Sequence, residues 1–332
     1  MKRLVLAWLA GGALCSALSF PACADSQASA APHRFAVIGH ALHDRAADGE
    51  HEQHLKEALA RSADPALEFV VAMGIKASDE PCTDALYTRR RDLFEAARRP
   101  LIVVPAASDW SDCVDGGGDG AGMQRMSRIR ELFHGDGLSL GRKQMELVRL
   151  SATAKYRRYA ENALWEVGPV LYATINLPSN NNNYVGDAGR NNEFEDRWVA
   201  NRYWLKRVFT HAQRSGAQAV VLFSEGDIKI LAERRGLLAR LRRQPTLAQD
   251  GYLQTRRLVT TLAQKFQGKV LLVDTAALPK GVKPALVWRD RLAHLSVGAE
   301  VVAVEVAPGA HPLFTLVPAK AAITAAKPAR KK

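Results

Sequence analysis

Leu101-Ile102-Val103-Val104-Pro105-Ala106-Ala107-Ser108-Asp109-Trp110-Ser111-Asp112-Cys113 is the stretch whose reading decides the fold. Its four leading apolar residues read as a buried strand. The small-residue turn that follows is where α/β proteins usually place their chemistry. Similar apolar runs occur at Phe35–Gly39, Leu67–Gly74, Val170–Asn176, Ala219–Phe223 and Val270–Asp274. Helical patterns separate several of them, at Glu50–Arg61, Ala85–Arg98, Met123–Phe133, Glu195–Ser215 and Gln254–Gln267. That alternation predicts an α/β fold with helices covering a β core. After Leu292 the runs shorten to Leu292–Val297, Val301–Val306 and Leu313–Val317, which read as antiparallel strands with a turn at Ala307-Pro308-Gly309. No internal repeat or boundary interrupts the pattern, which predicts one domain.

Several segments resemble blocks of the bacterial secreted calcineurin-like metallophosphoesterases. Pro105 to Cys113 is similar to the family's P-G-D-N-E-W-T-D-C, keeping the Pro, the Trp and the final Asp-Cys. Phe35-Ala-Val-Ile-Gly39-His40 resembles the opening strand F-A-V-I-G-D. The run from Phe69 to Lys76 and on to Pro81-Cys82-Thr83-Asp84 resembles V-V-H-V-G-D-I-K followed by P-C-S-D, and Tyr87 to Phe94 matches the helix after it. Asn180 to Asn183 and Ala200-Asn201-Arg202-Tyr203-Trp204-Leu205 resemble S-N-N-N and A-N-x-x-W-L. Val270 to Ala276 falls where the family has V-L-L-V-H-G-D-S-H. The likeness spans about residues 34–318 and implies a two-sheet β-sandwich flanked by helices, in α/β/β/α order.

The same blocks lack the chemistry. A two-metal phosphoesterase holds its ions about 3.5–4 Å apart and lowers the pKa of a bound water toward 7. Asp, Asn and His ligands must offset that concentrated charge. Here His40 stands for the first metal-binding Asp, the Asp after Gly74 is missing, and Ala107, Ser108 and Ala276 replace further ligands. Alanine donates no lone pair. The resemblance therefore makes His40, Ala107, Ser108, Asp109, Asn181, Asp274 and Ala276 vestigial positions, with no catalytic residue and no metal expected. His40, His43, Asp44, His51 and His54 offer another arrangement, because H-x-x-H spacing puts two imidazoles on one helical face. An exposed polar loop and first helical turn account for the same residues.

No G-x-S-x-G, P-loop or H-E-x-x-H motif occurs. Ser224-Glu225-Gly226-Asp227 ends an apolar run and is either a ligand-facing turn or a helix start with Asp227 near the N-cap. The asparagines at 180–183 either line the old cleft or populate tight turns. The glycine-rich stretch 116–120 reads as a connector before the helix at Met123.

Residues 1–24 read as a signal peptide: Lys2-Arg3, an apolar stretch, and Ala22-Cys23-Ala24 as a cleavage site. Residues 25–33 form a small-residue linker, 34–318 the domain, and 319–332 a disordered basic Ala/Lys tail. No later segment reaches the length of a membrane-spanning helix. Periplasmic or secreted localisation follows. Loss of the leader leaves Cys82 and Cys113, which in an oxidising compartment point to one disulfide; the family carries cysteines at both positions.

The chain is basic, with a formal charge of +12. Part of the excess lies in Lys229–Arg243, which reads either as a helix with a solvated basic face or as a contact for anionic surfaces through Arg240, Arg242 and Arg243. Three functions are consistent with these residues. The first is an inactive pseudoenzyme without cofactor, serving as a binding or scaffold protein for an anionic ligand or cell-envelope partner. The second is a divergent phosphoesterase using Mn, Fe or Zn at a site rebuilt from His40, His43, Asp109 and Asp274. The third is an anionic-surface binder acting through 229–243. Nucleic acid is not an expected partner of an exported chain.

Overall fold

The computed structural model of the chain describes residues 31–39, 50–115, 120–186, 191–232 and 246–318. Two sheets make up its centre. Strands β1 (His33–Ile38), β2 (Leu67–Met73) and β3 (Leu101–Val104) pair in parallel. Strands β11 (Val301–Val306) and β12 (Phe314–Val317) extend that sheet antiparallel from β1, giving the order β12-β11-β1-β2-β3. The second sheet has the order β4-β5-β6-β7-β8-β10-β9. Its members are β4 (Val148–Arg149), β5 (Ala163–Val167), β6 (Val170–Thr174), β7 (Ala219–Phe223), β8 (Lys269–Asp274), β9 (Val287–Arg289) and β10 (Leu292–Ser296). Here β6, β7, β8 and β10 run parallel.

The layering follows from the period of two along each strand. Inward residues such as Phe35, Phe69, Ile102, Trp165, Tyr172, Phe223, Leu271 and Leu295 form the core between the sheets. Several of its rings stack: Trp165 lies against Phe223 at 5.9 Å and Phe35 against Phe69 at 5.3 Å. The intervening residues of the larger sheet, Leu171, Ala173, Val220 and Leu272, meet helices α4 (Asn192–Arg214) and α5 (Leu253–Lys265). On the smaller sheet, Ala72, Leu101 and Val103 pack against α1 (His51–Arg61), α2 (Asp84–Glu95) and α3 (Gly122–Phe133). This is the α/β/β/α sandwich implied by the resemblance. Among the described residues no helix is long and apolar enough to cross a membrane.

Two expectations need correction. Strand β10 is not part of an antiparallel run: it pairs parallel with β8 and antiparallel only with β9. The short β9 turns into β10 at Asp290, whose φ of 56° is left-handed, and this hairpin reverses the chain so that β10 continues the parallel set. His33, the last residue of the expected linker 25–33, belongs to β1 instead. His33 already pairs with Val306 in β1, and its Nε2 lies 2.6 Å from the Tyr172 hydroxyl. Burial pushes the His33 pKa down. The leader, residues 40–49, the glycine-rich stretch 116–119, the segment 233–245 and the tail 319–332 lie outside the described residues.

Cys82 and Cys113 are bonded, with Cα atoms 5.9 Å apart across 31 positions of chain. Opening a loop of that length removes about 3–4 kcal/mol in the chain-entropy model. Replacing both with Ser is expected to lower the urea midpoint correspondingly, with the same loss on reduction of the native chain. A second buried device lies near the end of α3. His134 is 2 % exposed, and its Nδ1 stands 3.4 Å from Arg149 Nη1. Burial, with Arg149 and Arg130 nearby, holds its pKa well below 6.5. The unfolded chain then takes up the proton first, so this stability is complete above pH 6.5 and is lost as pH falls toward the depressed folded value. His134→Gln is expected to melt below the native chain at pH 7.5, with the gap closing by pH 5 in paired thermal scans.

Candidate functional site

The turns that leave the parallel strands meet at one end of the sandwich. Gly74 follows β2, Pro105 follows β3 and Ser224 follows β7. Asp109 sits at the centre of this junction with 0 % exposure. Its carboxylate accepts backbone N–H bonds from Ile75 at 3.0 Å, Lys76 at 3.1 Å and Ala106 at 2.7 Å. Its own carbonyl accepts from the Tyr87 hydroxyl at 2.7 Å. Burial raises the Tyr87 pKa, with Asp109 adding to it. Lys76 is buried beside this group and donates through Nζ to the carbonyls of Ala77 at 2.9 Å and Glu80 at 2.7 Å. Burial lowers its pKa, partly offset by Asp109 and Glu80.

Glu225 does similar work from the other sheet. Its Oε2 accepts from Ala107 N at 3.0 Å and from Ser179 N at 2.6 Å, joining the turns after β3 and β6. Ala107 and Ser108 are buried in the short turn Ala107–Asp109. The junction is thus closed by carboxylates bonded to amide hydrogens. A carboxylate that accepts several N–H bonds is well satisfied without a cation.

The asparagine run resolves into turns with long reach. Asn181, Asn182 and Asn183 have φ of 56°, 59° and 53°, the left-handed conformation Asn tolerates. Asn181 Oδ1 accepts from Gly251 N at 2.7 Å, and any Cβ on Gly251 would stand 2.1 Å from the Asn181 carbonyl. Asn182 Oδ1 accepts from Arg197 Nη1 at 2.5 Å. Arg197 also donates to both oxygens of Glu193 and lies 5.7 Å over the Trp110 ring. Asn180 Nδ2 donates to Asp112 Oδ1 at 2.6 Å, so Asp112 accepts across two loops. These side chains brace the junction.

A different cluster lies on the outer face of the larger sheet. Asp274, the last residue of β8, faces Ser296 of β10 in register. Leu271, Val273, Ala293 and Leu295 point into the inter-sheet core, so alternation sends Asp274, His294 and Ser296 the other way. His294 Nε2 lies 2.5 Å from Asp274 Oδ2 and 3.7 Å from Asp227 Oδ1. Ser296 Oγ donates to Asp274 Oδ1 at 2.5 Å, and Ala276 N to the same oxygen at 3.1 Å. Asp227 Oδ1 accepts from Lys229 N at 2.6 Å, so it closes a turn rather than capping a helix. Burial opposes a charge on His294, but Asp274 and Asp227 outweigh it and raise the pKa. The donor atoms of Asp227, Asp274 and His294 all lie within 4.8 Å of one another.

The expected site residues are therefore divided. Asp109 serves the junction, while Asp274 gathers with Asp227 and His294; Asn181 braces a loop, and Ala276 offers its N–H to Asp274. His51 is buried and meets Asp79 Oδ2 at 3.0 Å, in an open polar cleft of about 320 Å³ that Arg90 also lines. His54 lies on α1 and joins no three-donor cluster among the described residues. His40, His43, Asp44, Arg240, Arg242 and Arg243 lie outside the described residues. Sequence reasoning missed His294. The polar alternation His294, Ser296 within Leu292–Ser296 was the available signal, but its meaning needs the β8–β10 register.

Asp109→Ala would strand three amide hydrogens and remove the foremost of the carboxylates that offset the burial of Lys76. Removing one member of such a group costs on the order of 3–5 kcal/mol. The variant is expected to lose that much in urea denaturation.

No family model and no curated relative matches the chain. Among solved structures it is similar to TT1561 of Thermus thermophilus, with a TM-score of 0.45 and 10 % identity, over 87 % of this chain and 100 % of that one. So loose a likeness carries no argument about the site.

Proposed function

We propose that this chain is a metallophosphoesterase-like domain that has given up two-metal hydrolysis and acts as a binding or scaffold protein outside the cytoplasm. The observation that carries this reading is the use of Asp109 and Glu225. Both carboxylates at the strand-end junction are engaged by backbone amides of neighbouring turns. Two cations about 3.5–4 Å apart need several anionic or imidazole ligands to offset them. Ala107, Ser108 and Ala276 supply no such charge at the positions where the resemblance implies ligands.

Export is part of the same reading. The bonded Cys82–Cys113 pair suits an oxidising compartment, and the first 24 residues have the pattern of a cleavable leader. The formal charge of +12 favours an anionic ligand or envelope component as partner. That attraction acts at long range and weakens with salt.

Purified protein is expected to leave p-nitrophenyl phosphate and bis-p-nitrophenyl phosphate intact, with added Mn²⁺, Fe²⁺ or Zn²⁺ giving no rate above a heat-denatured control. Metal-dependent turnover that a chelator abolishes would overturn the reading and favour a divergent phosphoesterase.

A further inference from the structure

We propose that Asp227, Asp274 and His294 form a binding site for one divalent transition-metal ion, which shares only Asp274 with the ligand positions that the resemblance implies. The three donors come from different parts of the chain. Asp274 ends β8, His294 lies in β10 and Asp227 follows β7. The parallel pairing of β8 with β10 fixes two of them on adjacent rigid strands, which holds a site more firmly than loops do.

Donors that each bind one ion at about 2.0–2.2 Å stand roughly 3–3.6 Å apart. The His294–Asp227 separation of 3.7 Å is already near that range. The His294–Asp274 separation of 2.5 Å must open by about 0.5–1.1 Å, within reach of a small imidazole rotation. The ion takes the place of the proton now lying between those two atoms.

The surroundings of the donors suit a metal. Asp274 is oriented by Ser296 Oγ and Ala276 N, both bonded to Oδ1, which leaves Oδ2 toward His294. Such hydrogen bonds to a ligand carboxylate support metal sites generally. The Asp274 side chain is 4 % exposed, against 19 % for His294 and 29 % for Asp227. The cluster is closed by the sheet on one side and open on the Asp227 side, where water can complete the coordination. One imidazole nitrogen with two carboxylates selects ions such as Zn²⁺, Mn²⁺ or Co²⁺ over Ca²⁺, which prefers an all-oxygen shell. The ion also cancels the repulsion between two carboxylates brought this close.

This site differs from the Asp109–Glu225 junction in residues and in face, so its test is independent of hydrolytic activity. The full chain, stripped with a chelator, is titrated at pH 7.5 with Zn²⁺ by calorimetry and with Co²⁺ by visible absorption. One equivalent is expected, with a Co²⁺ d–d band. His294→Gln and Asp227→Asn should each weaken binding roughly tenfold or more and remove the band. Asp227 lies on a loop, and its substitution should leave the melting curve unchanged. A double His51→Ala, His54→Ala variant should bind as the native chain does. Absence of stoichiometric binding, equal affinity in the His294 and Asp227 variants, or loss confined to the His51/His54 variant would each overturn the proposal.

Discussion

The end of the sandwich where the parallel strands stop depends on how two buried carboxylates are satisfied. Asp109 takes three backbone amides from two turns, and Glu225 takes two more from the turns after β3 and β6. Burying a carboxylate is expensive unless its oxygens are fully engaged. Amide hydrogens supply that engagement here and tie one sheet to the other. The same turns are crosslinked by Cys82–Cys113, whose sulfurs lie near the Ser108 carbonyl. The junction is thus braced from both sheets and by the crosslink.

Arg197 extends the brace to the helical layer. From α4 it reaches Glu193, Asn182 and the face of Trp110, joining the asparagine turns to the segment that follows β3. The left-handed backbone of three successive asparagines is strained for most residues. The side chains hold it in place: Asn181 and Asn182 both bond to Gly251, and Asn183 Nδ2 donates to Glu193 of α4. The run thus acts as a clasp over the junction, a role that amide side chains fill without adding charge.

The recognisable parts of the sequence and its silent parts differ for physical reasons. The strands at Leu67, Leu101, Val170, Ala219 and Val270, and the five described α-helices, were legible to within a few residues, because strands buried on both faces read as continuous apolar runs and helices buried on one face show a period of 3.6. β5 was not legible. Its residues Ala163–Val167 join β6 through Gly168, with φ of 54°, and Pro169, a tight hairpin whose register no periodicity announces. The Cys82–Cys113 bond was legible because only two cysteines remain after the expected leader. The outer cluster was half legible: Asp274 stood out through the resemblance, whereas His294 looked like an ordinary polar residue in a short strand.

The sequence alone determined the alternation of strands and helices, the pair of cysteines left for a crosslink, and the absence of a carboxylate or imidazole at 107, 108 and 276, since local pattern and residue identity suffice for each. The layered order came only from the resemblance. Only the tertiary structure decided which carboxylate serves which end. Asp109 and Asp274 are both lone acids at the ends of apolar runs, and nothing local separates them. The parallel addition of β10 beside β8 brings an imidazole to Asp274, while the packing of the turns after β2 and β3 surrounds Asp109 with amides. Strand order is set by long-range burial, and side-chain partners across 20 or 34 positions follow from it.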